Sequence, residues 1–541
     1  MKKHIVTIAL ALVLGISLGA QEKAPSKGFT IGKWMEIQNA VRLDLNKYYV
    51  DTLPLARMER ASLDALLNSL DPYTVYVPEE EQEDFNLIIG KTYGGIGAVI
   101  YKPEKDGNVI INEPYADSPA ARAGLRCGDE IITIDGESTH GLTSQQASDK
   151  MRGKPGTSVA FRIKKVYSGK EVDVTIVRER IHFPDVEYAG MLNDTTGYIC
   201  QSGFTEGVSG AVRESVLKLK EQGMKKLVLD LRGNGGGLVD EAVKIISLFV
   251  PKGTMVLSSK GNTPDSEEKF FTTIDPIDLK IPIVVLVDSG SASASEIVAG
   301  GLQDLDRATV MGRRSFGKGL VQRILPLPYG GELKVTIAKY YTPSGRCVQA
   351  IDYANRNEDG SVGHIPDSLT HEFKTAHGRI VRDGGGITPD VLLSEKEYGR
   401  LVYSVVLNGI TDQYALDYVR RHENVPAFED FHFTDEDYKD FVAFAKDKKF
   451  DYRSDARATF DHMKKQLEKD GFADRMKDQL DAMEKALEMD KETFLNIEKD
   501  ELIPFIEQEI AVRYWFQEAG VKIRLRYDDQ LREALSKPLA I

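Results

Sequence analysis

The chain has 541 residues, of which 42% are hydrophobic and 28% charged, and its formal net charge at pH 7 is −13. This length predicts several domains with well-buried cores, and the composition excludes a largely disordered chain. The acidic balance argues against nucleic acid or an anionic membrane surface as the main partner. Cys127, Cys200 and Cys347 are too few and too scattered for a disulfide framework, and we interpret them as buried thiols.

Residues 1–20 have the charge and length of a secretory signal peptide. Two lysines precede an apolar stretch at residues 5–18, and Gly19 and Ala20 offer a cleavage site. The apolar stretch is shorter than the roughly 20 residues of a membrane span. We therefore expect secretion across the inner membrane, with the periplasm as the address in a Gram-negative cell. Residues 21–88 follow as a helical segment, because their apolar residues recur at helical spacing.

Residues 89–180 change to the pattern of short strands, such as NVIINEP, SVAFRIKK and EVDVTIV. Two stretches in this region, YGGIGA at 93–98 and DSPAARAGLRCGDEIITIDG at 117–136, resemble a PDZ domain. A plain β-barrel with a glycine hairpin is the alternative, and the placement of the glycines favours the PDZ domain.

In PDZ domains a peptide adds as a strand to the sheet edge, and backbone amides of a glycine loop receive its terminal carboxylate. The resemblance places this carboxylate loop at Gly95, Ile96 and Gly97. The helix that flanks the peptide groove is then expected at residues 143–151.

The stretch KKLVLDLRGNGGGLVDEAVKIISLFV, residues 225–250, combines a strand at 227–231, a glycine-rich loop at 233–237 and a helix from Val239. Glycines let the backbone approach a ligand closely or adopt positive φ, so this turn is a candidate for binding chemistry.

Phosphate binding is the competing interpretation of such a turn. Leu238 replaces the last glycine of the dinucleotide pattern G-x-G-x-x-G. In a second near-match, GRRSFGKG at 312–319, Gly319 replaces the Ser or Thr that would hold magnesium in a P-loop. These two departures disfavour nucleotide binding.

An apolar strand at residues 281–287 runs into the turn DSGSASASE, and a helix is predicted at 293–305. Ser293 would lie at the helix start, where free amides and the helix dipole favour negative charge. A nucleophile there would gain the Ala294 N–H as an oxyanion donor. Taken alone, however, Ser293-x-x-Glu296 is better explained as a capping box, which is a common helix start.

The motif RSFGKGLVQ supplies a lysine, and a serine becomes a good nucleophile when a neutral lysine takes its proton. Burial lowers the pKa of a lysine, and we expect Phe316, Leu320 and Val321 to provide an apolar setting for Lys318. The carbonyl of Gln322 can hold the amine without adding negative charge. By itself, Lys318 would be interpreted as an exposed loop cation.

Other catalytic schemes fit less well. Ser315 and Lys318 have S-x-x-K spacing, but Gly317 and Gly319 disfavour the helix that this scheme needs. No histidine lies in a triad-like context, and H-E-x-x-H spacing is missing from the sequence. We expect no metal and no cofactor.

Six motifs in order resemble those of the carboxyl-terminal processing proteases, also called tail-specific proteases, over roughly residues 30–400. They are LDPYTVY (70–76), LVLDLRGNGGG, SGSASASEIVAG, RSFGKGLVQ, KYYTPSGR (339–346) and GGITPD (385–390). The resemblance implies a serine endopeptidase with a Ser–Lys dyad, preceded by a PDZ domain that recognises the C-termini of protein substrates.

Carried over by motif position, Ser293 corresponds to the nucleophile, Lys318 to the general base and Gln322 to the residue that orients the lysine. The oxyanion donors correspond to Ala294 and to either Gly235 or Gly236. We expect substrates to be proteins or peptides with apolar C-terminal tails. A catalytically silent PDZ scaffold or chaperone is the alternative function.

The sequence thus predicts a multidomain α/β protein with a helical N-terminal segment, a PDZ-like β domain, an α/β Ser–Lys peptidase core at residues 181–400 and a helical domain at 401–541. The last domain lies outside the resemblance and suggests packing or homo-oligomerisation rather than chemistry. Residues 538–541 form an apolar tail of the kind that a PDZ groove accepts, although a frayed terminus is the simpler interpretation.

Overall fold

A computed structural model describes residues 26–82, 85, 90–102, 107–357, 360–451, 453–488 and 490–540. The predicted signal peptide at residues 1–20 lies outside the described residues. The chain forms two units, divided after Ser69. No helix among the described residues combines the length and the apolar character needed to cross a bilayer.

The first unit contains the predicted N-terminal helices, α1 (Lys27–Tyr48) and α2 (Leu55–Asn68). The hydroxyl of Ser26 caps α1 by accepting a hydrogen bond from the Phe29 N–H. Several large apolar side chains of α1 are exposed, among them Trp34 at 56% and Met35 at 65%.

The second unit begins with β1 (Val75–Val77), and a β domain follows at the residues that resemble a PDZ domain. Its antiparallel sheet has the strand order β3-β4-β5-β7-β8, with β6 beside β5, while β2 pairs separately with β9. The elements are β2 (Thr92–Gly95), β3 (Ala98–Tyr101), β4 (Val109–Pro114), α3 (Pro119–Arg122), β5 (Glu130–Ile134), β6 (Glu137–Ser138), α4 (Ser144–Met151), β7 (Ser158–Lys164), β8 (Glu171–Val177) and β9 (Glu179–His182). Alternating inward residues such as Ile131, Phe161 and Ile163 form its core.

The centre of the second unit is a six-stranded sheet of order β10-β11-β12-β15-β16-β23, parallel except for the β10–β11 pair. Helices α5, α6 and α7 contribute to the large core on one face. The elements are β10 (Val186–Met191), β11 (Thr196–Gln201), α5 (Val208–Glu221), β12 (Lys226–Asp230), α6 (Val239–Ser247), β13 (Met255–Gly261), β14 (Glu268–Phe271), β15 (Ile283–Val287), α7 (Ala294–Asp304) and β16 (Thr309–Gly312).

A second sheet has the order β1-β18-β13-β14, and β17 also pairs with β18. The remaining strands of the core are β17 (Leu320–Pro326), β18 (Glu332–Tyr341), β19 (Ile351–Arg356), β20 (Val362–His364), β21 (Glu372–Lys374), β22 (Ile380–Arg382) and β23 (Val391–Leu392). The prediction of a helical segment over residues 21–88 is therefore wrong at residues 75–77, which form a strand and join the α/β core through β18.

The C-terminal part is helical, as predicted, and α14 is interrupted at Trp515 and Phe516. Its helices are α8 (Arg400–Leu407), α9 (Ile410–Arg421), α10 (Asp435–Lys446), α11 (Asp455–Lys469), α12 (Lys477–Ala486), α13 (Lys491–Ile497), α14 (Lys499–Arg526) and α15 (Asp529–Ser536). The buried guanidinium of Arg513 donates to Asn112 of the PDZ domain at 3.0 Å and to Asp412 of α9, so helices and PDZ domain are linked.

Helix α15 covers the second face of the central sheet, where Leu531 and Ala534 pack in one cluster with Val228 and Leu286. The Ala540 N–H donates to Thr309 Oγ1 of β16 at 3.0 Å. The tail through Ala540 therefore lies on the core, and the idea that it enters the chain's own PDZ groove is wrong. Ile541 lies outside the described residues.

Candidate active site

Parallel pairing brings three of the sequence motifs to one edge of the central sheet. Leu227 of β12 pairs with Ile283 of β15, and Val284 of β15 pairs with Thr309 of β16. The carboxyl ends of neighbouring parallel strands meet at one edge of a sheet, where open α/β folds place their binding sites. The glycine-rich loop, the serine turn and the lysine loop follow these three strands directly.

Hydrogen bonds join the glycine-rich loop to the serine turn. Asp288 Oδ1 accepts from the Gly233 N–H at 2.8 Å, and the Ser291 hydroxyl donates to the Leu231 carbonyl at 2.7 Å. The Ala292 N–H donates to the Asn234 carbonyl at 3.0 Å. These contacts fix the position of the turn that carries Ser293.

Ser293 has an unusual backbone for a helix cap. Its φ is 56° and its ψ is −114°, whereas a capping residue normally has an extended conformation. Positive φ is costly for a residue other than glycine, and such strain is concentrated at functional sites. The Tyr340 hydroxyl donates to the Ser293 carbonyl at 3.1 Å and helps to hold this conformation.

Only part of the predicted capping box is well formed. The Ser293 N–H donates to Glu296 Oε2 at 2.9 Å. The Ser293 hydroxyl lies in the capping-box position near the Glu296 amide, but it makes no cap hydrogen bond of full geometry. A capping hydroxyl only accepts a hydrogen bond, so the proton of the Ser293 hydroxyl stays available to a base.

Gly236 lies tightly against the serine turn. A Cβ atom added to Gly236 would be 2.8 Å from the Ser293 Cβ and 2.9 Å from the Ala294 nitrogen, and its φ of +96° also favours glycine. The Gly236 N–H donates to Asn234 Oδ1 at 2.9 Å. Among the described residues the amides of Ala294 and Gly235 have no hydrogen-bond partner, so the choice of glycine as second oxyanion donor stays a prediction.

A single buried carboxylate connects the serine turn with the lysine loop. Glu296 Oε2 accepts from the Ser293 N–H and, at 2.8 Å, from the Lys318 N–H. Glu296 Oε1 accepts from the Gly317 N–H at 2.7 Å and from the Ser315 hydroxyl at 2.6 Å. Burial raises the pKa of Glu296, and these hydrogen bonds oppose that rise.

The side chain of Lys318 is partly buried, and its Nζ lies 4.3 Å from the centroid of the Tyr73 ring. Burial, assisted by the charge of Lys334, lowers the pKa of Lys318 to about 8. Phe316 is 44% exposed and Leu320 is buried, and the ring that lies against the Lys318 amine is that of Tyr73. In the described part of the chain, no hydrogen bond joins the Lys318 amine to the Ser293 hydroxyl.

Gln322 lies on β17, opposite Thr336 of β18. Its Nε2 donates to the Thr336 hydroxyl at 3.1 Å. No hydrogen bond between Gln322 and Lys318 is present among the described residues, so the orienting role of Gln322 stays a prediction.

The PDZ candidates lie between β2 and β3. Gly95 ends β2, Ile96 is buried and its carbonyl accepts from the Ala120 N–H at 2.9 Å, and Gly97 has a φ of +75°. Helix α4 packs beside β3, as expected for the helix of a peptide groove.

The C-terminal helices reach the glycine-rich loop, a contact that no sequence motif indicates. Arg232, directly before Gly233, donates to Asp528 Oδ2 at 2.5 Å and to Gln530 Oε1 at 3.1 Å. It also binds the side chain of Asp230 at the end of β12. This ion-pair network links α15 to the candidate site.

Three family models match the chain. Residues 195–354 match peptidase family S41, residues 110–165 match a PDZ domain, and residues 401–537 match the probable PDZ-protease C-terminal helical domain.

Curated relatives agree with these matches. A carboxy-terminal-processing protease of Bartonella bacilliformis is 39% identical over 295 residues, which cover 54% of this chain and 67% of the relative. A probable CtpA-like serine protease of Staphylococcus aureus is 36% identical over 317 residues, covering 58% of this chain and 62% of the relative. The solved photosystem II D1 C-terminal processing protease is 25% identical, with a TM-score of 0.36, and the match covers 67% of this chain and 86% of that one.

The chain therefore belongs to the carboxy-terminal-processing proteases of peptidase family S41. It is a serine-type peptidase that carries a PDZ domain, and the resemblance inferred from six motifs is confirmed.

Proposed function

We propose that this protein is an endopeptidase that binds the apolar C-terminal tail of a protein substrate through its PDZ domain and cleaves that substrate with a Ser293–Lys318 dyad. The observation that carries the proposal is the Glu296 carboxylate, which accepts from the backbone amides of both residues. The strained backbone of Ser293 and the lowered pKa of Lys318 support the same assignment.

In the proposed reaction the neutral Lys318 amine takes the proton of the Ser293 hydroxyl, and Oγ attacks the peptide carbonyl. The Ala294 N–H and an amide of Gly235 or Gly236 stabilise the oxyanion that forms. The Lys318 ammonium then protonates the leaving amine as the C–N bond breaks, and water hydrolyses the acyl-enzyme. Gln322 would orient the amine between these steps.

The substrate tail would bind as an added strand beside β3, with its carboxylate at the amides of Gly95, Ile96 and Gly97. The preference for apolar tails rests on the resemblance to the carboxyl-terminal processing proteases.

The proposal places the protein in the periplasm. The lysines and apolar stretch of residues 1–20 support secretion across the inner membrane. The exposed apolar side chains of α1 support self-association as a further part of the proposal. Cell fractionation with an antibody against the chain tests the location, and sedimentation of the purified protein tests the association.

The decisive experiment compares the wild type with Ser293→Ala and Lys318→Ala on a folded substrate bearing an unstructured apolar tail. We expect both variants to lose cleavage, by a factor on the order of 10⁵–10⁶ for the serine, and to bind a fluorescent tail peptide with unchanged affinity. Normal turnover by either variant contradicts the dyad. A wild type that binds the tail but neither cleaves nor reacts with a fluorophosphonate indicates a silent scaffold.

A further inference from the structure

The motif LDPYTVY, residues 70–76, has no role in the function proposed above, yet the structure places it at the lysine. Asp71 is buried, and its Oδ1 accepts from the N–H groups of Tyr73 and Thr74 at 2.8 Å each. Its Oδ2 accepts from the Thr74 hydroxyl at 3.1 Å. Asp71 thus fixes a tight turn that sets the direction of the Tyr73 side chain.

The ring of Tyr73 presents its face to the base. Lys318 Nζ lies over this face, 4.3 Å from the ring centroid. Tyr353 packs edge-on against Tyr73, with centroids 6.1 Å apart and an interplanar angle of 89°. Edge-to-face packing of this kind restrains the ring, and the face of an aromatic ring attracts a cation.

The same segment is connected to Gln322 through β18. Thr74 Oγ1 accepts from the Thr336 N–H at 3.2 Å, and Thr336 Oγ1 accepts from Gln322 Nε2 at 3.1 Å. The strand β1 continues this contact, with Val75 opposite Lys334. A continuous set of hydrogen bonds therefore runs from the turn at Asp71 to the residue predicted to orient the lysine.

We propose that Tyr73 is a positioning residue for Lys318, whose ring face holds the amine in place and stabilises the ammonium formed when Ser293 gives up its proton. This inference rests on the proposed dyad. The step moves one proton from Ser293 Oγ to Lys318 Nζ, while the electron pair left on Oγ forms the new bond to the substrate carbonyl carbon. Tyr73 exchanges no proton or electron in it.

The charges around the amine explain why an aromatic ring suits this position. Lys334 opposes the ammonium, whereas Asp71 and Glu296 favour it, and burial leaves the pKa of Lys318 at about 8. A further carboxylate in contact with the amine would raise the pKa and keep the base protonated. A ring face stabilises a cation more weakly, so it holds the ammonium and still allows the amine to be neutral.

The test compares Tyr73→Phe, which keeps the ring, with Tyr73→Leu, which keeps much of the apolar volume without a ring. The readouts are the rate at which a fluorophosphonate labels Ser293 between pH 6 and 10, and kcat and KM for a tailed substrate. We expect Tyr73→Phe to stay within about threefold of the wild type, and Tyr73→Leu to lose roughly tenfold in labelling and kcat at unchanged KM. Because the ring favours the ammonium, Tyr73→Leu should also move the acid limb of the profile to lower pH.

Tyr76→Leu is the matched control, since it removes a tyrosine of the same segment whose ring lies against Gly331. If Tyr73→Leu does not fold, Tyr73→Met provides the flexible apolar replacement for the same measurements. Wild-type labelling and an unchanged acid limb in the ring-free variant overturn the proposal, and so does equal damage in Tyr73→Phe, which would assign the effect to the hydroxyl.

Lys318→Ala, measured in parallel, separates a failure of the proposed dyad from a failure of the positioning role of Tyr73. Retained labelling in Lys318→Ala refutes the dyad itself, whatever Tyr73 does. If Lys318→Ala is inactive while Tyr73→Leu behaves as the wild type, the dyad stands and only the positioning role fails.

Discussion

Ser293 and Ser315 lie in neighbouring loops and share one partner, but their hydroxyls differ. Ser315 is buried in a loop that is not helical, where it donates to Glu296 Oε1 at 2.6 Å and accepts from the Ile387 N–H at 2.6 Å. The backbone N–H of Ser293 donates to Glu296, whereas the Ser293 hydroxyl makes no side-chain hydrogen bond at the helix cap. To react, Ser315 would first have to break two buried hydrogen bonds, which is costly. The comparison assigns Ser315 to the scaffold and leaves Ser293 available for chemistry.

Among changes that leave the Ser293 and Lys318 side chains in place, the largest effect is expected from Gly236→Ala, which disturbs the turn that carries Ser293. The added Cβ would lie 2.6 Å from the Ala292 carbonyl oxygen and 2.8 Å from the Ser293 Cβ, so the serine turn must shift. Loss of one oxyanion donor typically costs about 10²–10³ in kcat, and we expect a loss of that order, measured by tailed-substrate cleavage.

Gly233→Ala is the matched control, because Gly233 also has a positive φ, of +68°, but no atom lies within 4 Å of the added Cβ. Gly233→Ala therefore introduces the same type of backbone strain, but its added Cβ meets no neighbouring atom. Equal losses in the two variants would mean that strain alone is responsible and that the contact with Ser293 is unimportant.

Glu296→Gln removes the partner that both serines share. The carboxylate offers two oxygen acceptors, whereas the glutamine amide has one oxygen and one NH₂ group. The N–H or O–H donors that would face the NH₂ group lose their acceptor. We expect a fall in kcat/KM on the order of 10- to 100-fold and a loss of about 2–4 kcal/mol in the free energy of unfolding, measured by denaturant titration. Glu241→Gln, at another buried glutamate that binds Lys244 on α6, should lose stability but keep its activity.

A Glu296→Gln protein with a wild-type kcat would contradict the predicted role of Glu296. The serine turn and the lysine loop would then not depend on the carboxylate that joins them.

These contacts show which parts of the site a sequence can reveal. The strand at β15, the helix at α7 and the strands of the PDZ domain follow from local apolar periodicity, and the predictions for them are close to the observed bounds. Ser293, Lys318 and the glycine-rich loop stand out because their motifs are local as well.

The supporting contacts are not local, so local sequence patterns do not reveal them. Glu296 was interpreted as one half of a capping box, but its bond to the Lys318 amide spans 22 residues. Arg232 finds Asp528 across 296 residues. Tyr73 reaches the lysine because β1 pairs with β18, although the whole PDZ domain lies between these two strands in the sequence. Such contacts depend on sheet order, which periodicity does not encode.

Ser315→Ala tests the scaffold side of the comparison directly. It leaves the amides of Ser293, Gly317 and Lys318 on Glu296 but deprives the Ile387 N–H of its acceptor. We expect about 1–3 kcal/mol less stability and a kcat within roughly tenfold of the wild type. A folded Ser315→Ala protein that no longer reacts with a fluorophosphonate would instead favour the S-x-x-K scheme.

The smallest effect concerns the pH at which Ser293 becomes reactive. A base must be neutral to accept a proton, and burial lowers the pKa of Lys318 to about 8, so kcat/KM should rise through that pH and level off above it.

The charge of Lys334 contributes to this lowering. Lys334→Met removes it, raises the pKa of Lys318 and leaves less neutral amine, so activity at pH 7 should fall about two- to threefold while the plateau at high pH is kept. Lys339→Met, on the exposed side of the same strand β18, should not move the profile. An identical acid limb in the wild type and Lys334→Met would show that another group, and not Lys318, controls the reactivity of Ser293.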